Sequence, residues 1–449
     1  MMNVNIREIL LDALLDKENK ELKSHLLIRE VLEKYDYLDA RDKAFIKRAY
    51  EGTIASEITL DYVLNLLSTK EVSKLKPVIR VILRASAYQI LFMDKIPDNA
   101  VCDEAVKLCR KRSFENFCPF VNGVLRNLCK KKDELMNFDD IKDRALRLSV
   151  KYSCPEWIVK MFIKEQKDAE GLLQALSLVR PTTVKIIDEK RIPEILSKWE
   201  EKHISYKESE YVKGAFLLTD FEGMEGLYGF SEGLLFVQDE SSMLASMAAG
   251  TKDKALTVMD VCAAPGGKSS FIASSLKEGG RVLSFDVSEL KVSLIEENFE
   301  RCGFKNVSVS VCDATEFHEE YENLADVCIA DVPCSGLGIM ARKSDIKYNI
   351  SGEAMKDICE LQKRIVENVS RYVKPGGVLI YSTCTIHKAE NEKMVKYILN
   401  NLPFKGDSLK PYVPKLFNVE RDCDFAIQML PNVDNTDGFF VARFIKNVE

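Results

Sequence analysis

The sequence predicts a multidomain chain: an all-α helical bundle over residues 1–135, a small α+β module over 136–235, and a doubly wound α/β sheet over 236–449. Three observations carry this. Residues 1–135 place apolar side chains at helical spacing and show no strand-like alternation. Residues 136–235 mix the two rhythms. Beyond residue 236, continuous apolar runs alternate with helical stretches, the pattern of parallel strands buried on both faces. A chain of 449 residues is also too long for one ordinary core.

In the first region, "VIRVILRASAYQILFM" sets Val78, Ile82, Ala85 and Gln89 among apolar neighbours at helical spacing. "NAVCDEAVKLCRKR" and "PFVNGVLRNLCKK" repeat the rhythm, with Pro97 and Pro119 near helix starts, for a bundle of about five to seven helices. The middle region opens on the polar "KKDELMNFDDIKDR". It continues with a helix at "PEWIVKMFIKEQ", β-like "TTVKII", a helix at "IPEILSKWEEK", and strands at "GAFLLT" and "GLLFVQD". In the third region "ALTVMDVCA", "RVLSFDV", "VSVSVCDA", "ADVCIADVP" and "GGVLIYSTC" are the parallel strands. "DFAIQMLP" and "GFFVARFIK" form a closing antiparallel pair.

Hydrophobic content of 46% with 30% charged residues describes a folded globular chain. No apolar run is long enough to cross a bilayer, and the first 20 residues lack a signal-peptide plan. Thirteen cysteines, an odd count without a CxxC pair, predict free thiols in a reducing cytoplasm. Four scattered histidines argue against a metal site. The net charge of −6 conceals an asymmetry: residues 1–135 carry 24 Lys+Arg against 21 Asp+Glu, or +3, which leaves −9 for the remainder. Lys107, Arg110, Lys111, Arg112, Arg126 and Lys130, with Lys131 and Lys132, concentrate positive charge. Such a run is either a solvated helix face or a phosphate-binding patch.

Two places point to chemistry. "VMDVCAAPGGKSSFIASSL" reads as strand, glycine turn and helix, where Gly266 and Gly267 permit close backbone approach and a helix N-terminus offers unpaired N–H groups. It matches neither GxGxxG nor the lysine-ended phosphate loop. The next strand ends in Asp286, placed to accept the two ribose hydroxyls of a nucleoside, and the third in Asp313, placed to meet an adenine amino group. The bland alternative for each acid is a turn residue capping a helix. The second place is a pair of cysteines on two strand ends, Cys334 in "ADVPCSGLGIM" and Cys384 in "YSTCTIHK". Most free cysteines are buried and inert, but these two stand in polar contexts.

Taken in order, "DVCAAPGGKSS", "ADVPCSGLG" and "YSTCTIHKAENEKMV" resemble the cytosine-C5 RNA methyltransferases. The resemblance implies a Rossmann-like class I methyltransferase sheet. It implies S-adenosyl-L-methionine, with S-adenosyl-L-homocysteine as product, held by Cys262, Ala263, Ala264, Pro265, Gly266, Gly267, Lys268, Asp286, Asp313 and Asp331. It further implies Cys384 as nucleophile toward carbon 6 of cytosine, Cys334 as the residue that helps release the product, and Asp331 as a contact to the base. Covalent addition makes chemical sense, because a thiolate on carbon 6 breaks the ring's aromaticity and renders carbon 5 nucleophilic.

"ARDKAFIKRAYEGTI", "ASAYQILFMDKIPDNAVCDEAVKLCRK" and "FVNGVLRNL" resemble a NusB-like RNA-binding domain. That arrangement is the one found in the bacterial 16S ribosomal RNA enzymes of the RsmB (Sun/Fmu) family, with an RRM-like module between. It implies 16S rRNA as partner, with no DNA and no membrane, and a cytoplasmic monomer. It favours the phosphate-patch reading of the basic run. Ser344 in "RKSDIKY" and Lys388 in "HKAENE" stand where the family commonly has proline, which bears on loop stiffness and removes no reactive group. The rival readings are a transfer-RNA methyltransferase, a non-catalytic RNA-binding or antitermination factor, and a DNA methyltransferase.

Overall fold

The structure is a computed structural model and describes residues 5–19, 24–219, 221, 223–414 and 423–448. Two compact units divide it: residues 1–177 with 342–349, and residues 178–341 with 350–449.

The first unit is all helical. Seven helices run Ile6–Asn19, Ser24–Lys34, Ala40–Ala55, Glu57–Leu67, Pro77–Phe92, Asp98–Lys111 and Cys118–Leu135. Pro77–Phe92 is the central one, burying Ile79, Val81, Ile82, Leu83, Ala87 and Ile90 on several sides. A helix apolar over most of its circumference must sit inside a bundle. Its one deep cation, Arg84, makes a two-pronged pair with Asp61 at 2.6 and 2.7 Å. The proline at its first turn costs nothing there, because that N–H has no helical acceptor anyway. Three shorter helices follow, Arg144–Lys151, Glu156–Glu165 and Ala169–Ser177, and they belong to this unit. Of the middle region, residues 136–177 fall in the helical unit, while residues 178–235, with the helix Ile192–Glu201 and the strands, fall in the second unit. The physical reason is packing. Thr59, from the fourth helix, donates to the Val150 carbonyl at 2.5 Å, and its N-terminal turn meets the Ser153 hydroxyl.

One segment reaches the bundle from far along the chain. Arg342–Asn349 follows the Pro-Cys loop in sequence yet belongs to the helical unit. Asp345 is buried and accepts the Ser24 N–H at 2.9 Å, so it caps the Ser24–Lys34 helix. Lys347 is buried too and donates to the Ala55 carbonyl at 2.7 Å. Burial with few compensating charges lowers the Lys347 ammonium to a pKa of about 8.

The second unit holds two sheets. β1 (Thr182–Ile186), β2 (Ser205–Glu208), β3 (Ala215–Thr219) and β4 (Leu235–Val237) form an antiparallel sheet in the order β2-β3-β1-β4. Its core is built on Trp199, Ile195, Val184 and Phe216. The large sheet has eight strands: β5 (Thr257–Asp260), β6 (Arg281–Asp286), β7 (Val307–Val311), β8 (Ala325–Asp331), β9 (Val373–Thr383), β10 (Phe404–Gly406), β11 (Ala426–Met429) and β12 (Phe439–Lys446). Its order is β10-β12-β9-β8-β5-β6-β7, with β11 also on β12. β5 to β9 are parallel, and β12 runs antiparallel to β9 and to β11, which is the expected closing pair. The chain leaves β5 for β6 and β7 on one side and returns to β8 on the other. The strand order thus reverses between β5 and β8, where such sheets open a crevice at their carboxyl ends.

Among the described residues, no helix is long and apolar enough to cross a membrane. Replacing Asp345 with Ala should destabilise the helical unit by about 0.5–2 kcal/mol, the range for a lost N-cap. Urea denaturation followed by far-ultraviolet dichroism checks this, and an unchanged midpoint would show that the cap contributes nothing.

Candidate active site

The crevice at the switch point has a volume of about 170 Å³. Its floor is the loop from Cys262 to Pro265 with Gly267 and Lys268; its walls are Asp260, Asp331 and the segment Val237, Gln238, Asp239 and Ser242. The loop turns at Gly266, where φ is +101°, a conformation that disfavours any residue with a Cβ. Gly267 has no such requirement, since a Cβ there would rest in ordinary contact with Gln238 at 3.5 Å. The helix Gly267–Ser275 begins at this turn.

Asp286 lies behind the loop and does not line the crevice. It is 4% exposed and accepts the Ala264 N–H at 3.0 Å, the Val287 N–H at 2.8 Å and the Lys291 ammonium at 2.8 Å. A carboxylate has about four lone-pair sites, so it retains capacity for a further donor. Asp313 is also outside the crevice lining. Its Oδ1 accepts the Thr315 N–H and hydroxyl, both at 2.8 Å, and these bonds hold its carboxyl below the usual range. Asp331 accepts Lys268 Nζ at 2.5 Å on one oxygen and the Ser382 hydroxyl at 2.7 Å on the other. The Lys268 ammonium also stands 5.0 Å from the centre of the Phe439 ring. One ion pair thus joins the glycine loop to the end of β8.

Among the described residues, two buried acceptors of the crevice-lining side chains have no partner. Asp260 is fully buried; Oδ2 accepts the Ser269 hydroxyl at 2.7 Å, while Oδ1 is unsatisfied. Burial raises its carboxyl to a pKa of about 6, against the lowering effect of Ser269. Gln238 is 6% exposed, and Oε1 is likewise unsatisfied. Orphaned acceptors in a cleft suit a ligand that brings donors or positive charge.

The two cysteines meet. β8 and β9 pair in parallel with Asp331 beside Ser382, which brings their carboxyl ends level. The Gly338 N–H then donates to the Cys384 carbonyl at 3.1 Å, closing the loop after Cys334 onto Cys384. The sulfurs lie 3.2 Å apart and both are half-buried, reduced thiols. The bond to Cys384 and burial push the Cys334 thiol well above its ordinary pKa. Either sulfur can be the donor in this contact. Cys262 is pushed up as well, by burial, and is no nucleophile.

The family profile for 16S rRNA methyltransferase RsmB/F matches residues 248–445, and that of the NusB family matches residues 4–130. A probable ribosomal RNA small subunit methyltransferase B of Bacillus subtilis (strain 168) is 34% identical over 457 residues, covering 99% of this chain and 100% of that protein. The chain belongs to the RsmB/F family of 16S rRNA methyltransferases. A ribosomal RNA small subunit methyltransferase F of Klebsiella pneumoniae (strain 342) is 33% identical over 218 residues, 48% of this chain and 45% of its own length. The crystal structure of PH0851 shares the fold, with a TM-score of 0.79 at 24% identity over 99% of this chain and 100% of that one.

As an RsmB/F methyltransferase, the chain carries its NusB part in the helical unit, where the basic run is less open than its charge suggests. Lys111 pairs with Glu8 at 2.5 Å, Arg112 with Asp12 at 2.5 Å, and Lys107 with Glu104 at 2.7 Å. Arg126 bonds Asn122 at 3.0 Å. Arg110 and Lys130 are exposed. Gln238, Ser242 and Asp260 were not singled out by sequence. A signal existed for Asp260, an acid closing an apolar run, and for the polar "QDESS" after β4. The sulfur pair makes a direct prediction. Diamide, a thiol oxidant, should link Cys334 to Cys384 in the folded protein, as read by peptide mass mapping. Gly338→Ala should slow this, because a Cβ there runs into the Gly438 carbonyl and stands 2.9 Å from that of Cys384. Equal rates would show that the close approach of the loops does not set the sulfur contact.

Proposed function

We propose that this chain transfers a methyl group from S-adenosylmethionine to carbon 5 of a cytosine in 16S ribosomal RNA, with Cys384 as nucleophile. The observation that carries the reading is the 3.2 Å contact between two thiols at the carboxyl ends of β8 and β9. Cys384 follows directly on the end of β9, and the Cys334 thiol beside it, whose pKa the shared hydrogen bond and burial raise, is a donor for a thiolate there. Its thiolate adds to carbon 6 of the ring, and carbon 5 becomes nucleophilic. S-adenosylmethionine supplies the electrophilic methyl group. Loss of the carbon 5 proton to water then restores the double bond and expels the Cys384 thiolate. The Cys334 S–H beside it stabilises that departing sulfur. Asp331, held by Lys268 and Ser382, presents a fixed carboxylate edge to the base.

The residues fit the cofactor. It carries an ammonium and a sulfonium, and the orphaned oxygens of Asp260 and Gln238 are acceptors for such a cation. In this reading the Cys262–Lys268 loop with Asp331 shapes the pocket. Asp286 and Asp313 stand at the ends of β6 and β7 for the nucleoside. The partner RNA meets the helical unit through Arg110, Lys130 and those of their neighbours whose ion pairs yield to phosphate; each such contact adds salt dependence to binding. Ion pairing with Glu8 and Asp12 makes Lys111 and Arg112 the costlier contributors.

Two outcomes follow. Asp260→Asn should weaken cofactor binding roughly tenfold to a hundredfold, as for a lost charged hydrogen bond. In the parent, affinity should fall as pH drops through about 6, because protonation of Asp260 removes the anionic acceptor. The raised pKa also means that Asp260 favours folding most at low pH, and that this contribution is lost as pH rises through about 6. Calorimetry across about pH 5–8 checks the affinity, and a parent curve as flat as the variant's would remove Asp260 from the site.

The cysteines fail differently. With labelled RNA and cofactor, Cys384→Ala should give neither methylation nor a covalent complex on a denaturing gel. Cys334→Ala should accumulate the complex, and the double variant should lose it. A complex in Cys384→Ala but not in Cys334→Ala would reverse the assignment.

A further inference from the structure

Beside the two thiols lie two consecutive residues that touch neither. Glu390 and Asn391 are both fully buried, in the turn that leads from Cys384 into the helix Glu392–Asn401. Each turns its side chain to a different cysteine loop.

Glu390 holds the loop of Cys334. Its Oε2 accepts the Ser335 N–H at 2.8 Å and Gln362 Nε2 at 3.2 Å. Its Oε1 accepts the Ser335 hydroxyl at 2.5 Å and makes a 3.1 Å hydrogen bond with His387 Nδ1. Gln362 in turn donates to the Pro333 carbonyl at 2.9 Å. Both neighbours of Cys334 are therefore tied to one carboxylate, directly on one side and through Gln362 on the other. Ser335 and Gln362 aim three donors at the Glu390 carboxyl, and His387 makes the fourth contact. Burying a carboxyl is costly unless its bonds are complete, as they are here.

Asn391 holds the other side. Its Oδ1 accepts the Thr383 hydroxyl at 2.6 Å, and its Nδ2 donates to the Thr385 carbonyl at 3.0 Å and to Gln428 Oε1 at 2.7 Å. Thr383 and Thr385 are the two neighbours of Cys384. The clips meet at the Ser335–Thr385 hydroxyl pair at 2.7 Å and through His387, which bonds Glu390 and donates its backbone N–H to the Thr385 hydroxyl at 3.3 Å.

We infer that Glu390 and Asn391 are separate positioning residues, Glu390 for Cys334 and Asn391 for Cys384, so that the two halves of the covalent cycle can be impaired one at a time. This rests on the cysteine roles proposed above. Cys384 also hangs on the end of β9, whereas Cys334 lies three residues beyond β8 in a loop. Loss of Glu390 should thus free Cys334 while leaving the nucleophile in place.

The test uses the full chain with RNA and cofactor. Glu390→Ala should form the covalent complex at close to the parent rate, accumulate it, and turn over about tenfold to a hundredfold more slowly, the usual scale for a misplaced reacting group. Asn391→Ala should slow formation of the complex in a single turnover and accumulate none. Cofactor affinity and substrate KM should stay near parental in both, and dichroism should confirm folding. Glu390→Gln, which keeps an acceptor for the Ser335 N–H, should fall between Ala and parent; it carries the test where the Ala variant does not fold. The same defect in both Ala variants, or parental kinetics in a folded Glu390 variant, would overturn the inference. Cys384→Ala run alongside keeps the questions apart. A complex in that variant sinks the cysteine roles themselves, while its absence with no trapping in the Glu390 variants sinks only the clip.

Discussion

The parallel pairing of β8 with β9 is the constraint on which the site depends. Side by side at the centre of the sheet, the two strands run out level, at Asp331 and Ser382. Everything reactive sits within a few residues of that line. The Ser382 hydroxyl fixes Asp331, Asp331 holds Lys268, and Lys268 stands in the first turn of the helix that follows β5, the strand on the other flank. A slip of one residue between β8 and β9 would turn each side chain to the opposite face. It would separate the sulfurs and break the ion pair in one step. The buried apolar faces on both sides, among them Ile329, Leu379 and Ile380, hold the register against such a slip.

Polar groups near this line are treated in two ways. Around Glu390 and Asn391, donors and acceptors are matched, and burial makes those bonds rigid. In the crevice, Asp260 and Gln238 keep acceptors without partners, which costs stability in the absence of a ligand. The contrast separates scaffold from pocket. The thiols lie between the two regimes, half-buried and bonded to each other.

Much of this was legible in the sequence, and the reason is burial. Strands covered on both faces read as unbroken apolar runs, so their carboxyl ends, and with them Asp286, Asp331, Cys334 and Cys384, could be located before any coordinates. Elements without that signature were missed. β2 is mostly exposed and polar, and the helices Arg144–Lys151 and Ala169–Ser177 are too short for a clear period. Long-range charge pairing was also invisible: Lys111 finds Glu8 103 positions away, so a run of cations looked freer than it is. The roles of Gln238, Glu390 and Asn391 depend on which side chain meets which across the fold, and no local pattern encodes that.

The cap that Asp345 places on the Ser24–Lys34 helix joins groups 321 positions apart in the chain. A ribosome adding about 5–20 residues per second leaves that helix waiting roughly 15 to 60 seconds for its acceptor. The helical unit is thus not complete until residue 349 has been made. During that interval the amino-terminal turn must rely on water, and the bundle is finished only after β8 and the Cys334 loop have been made.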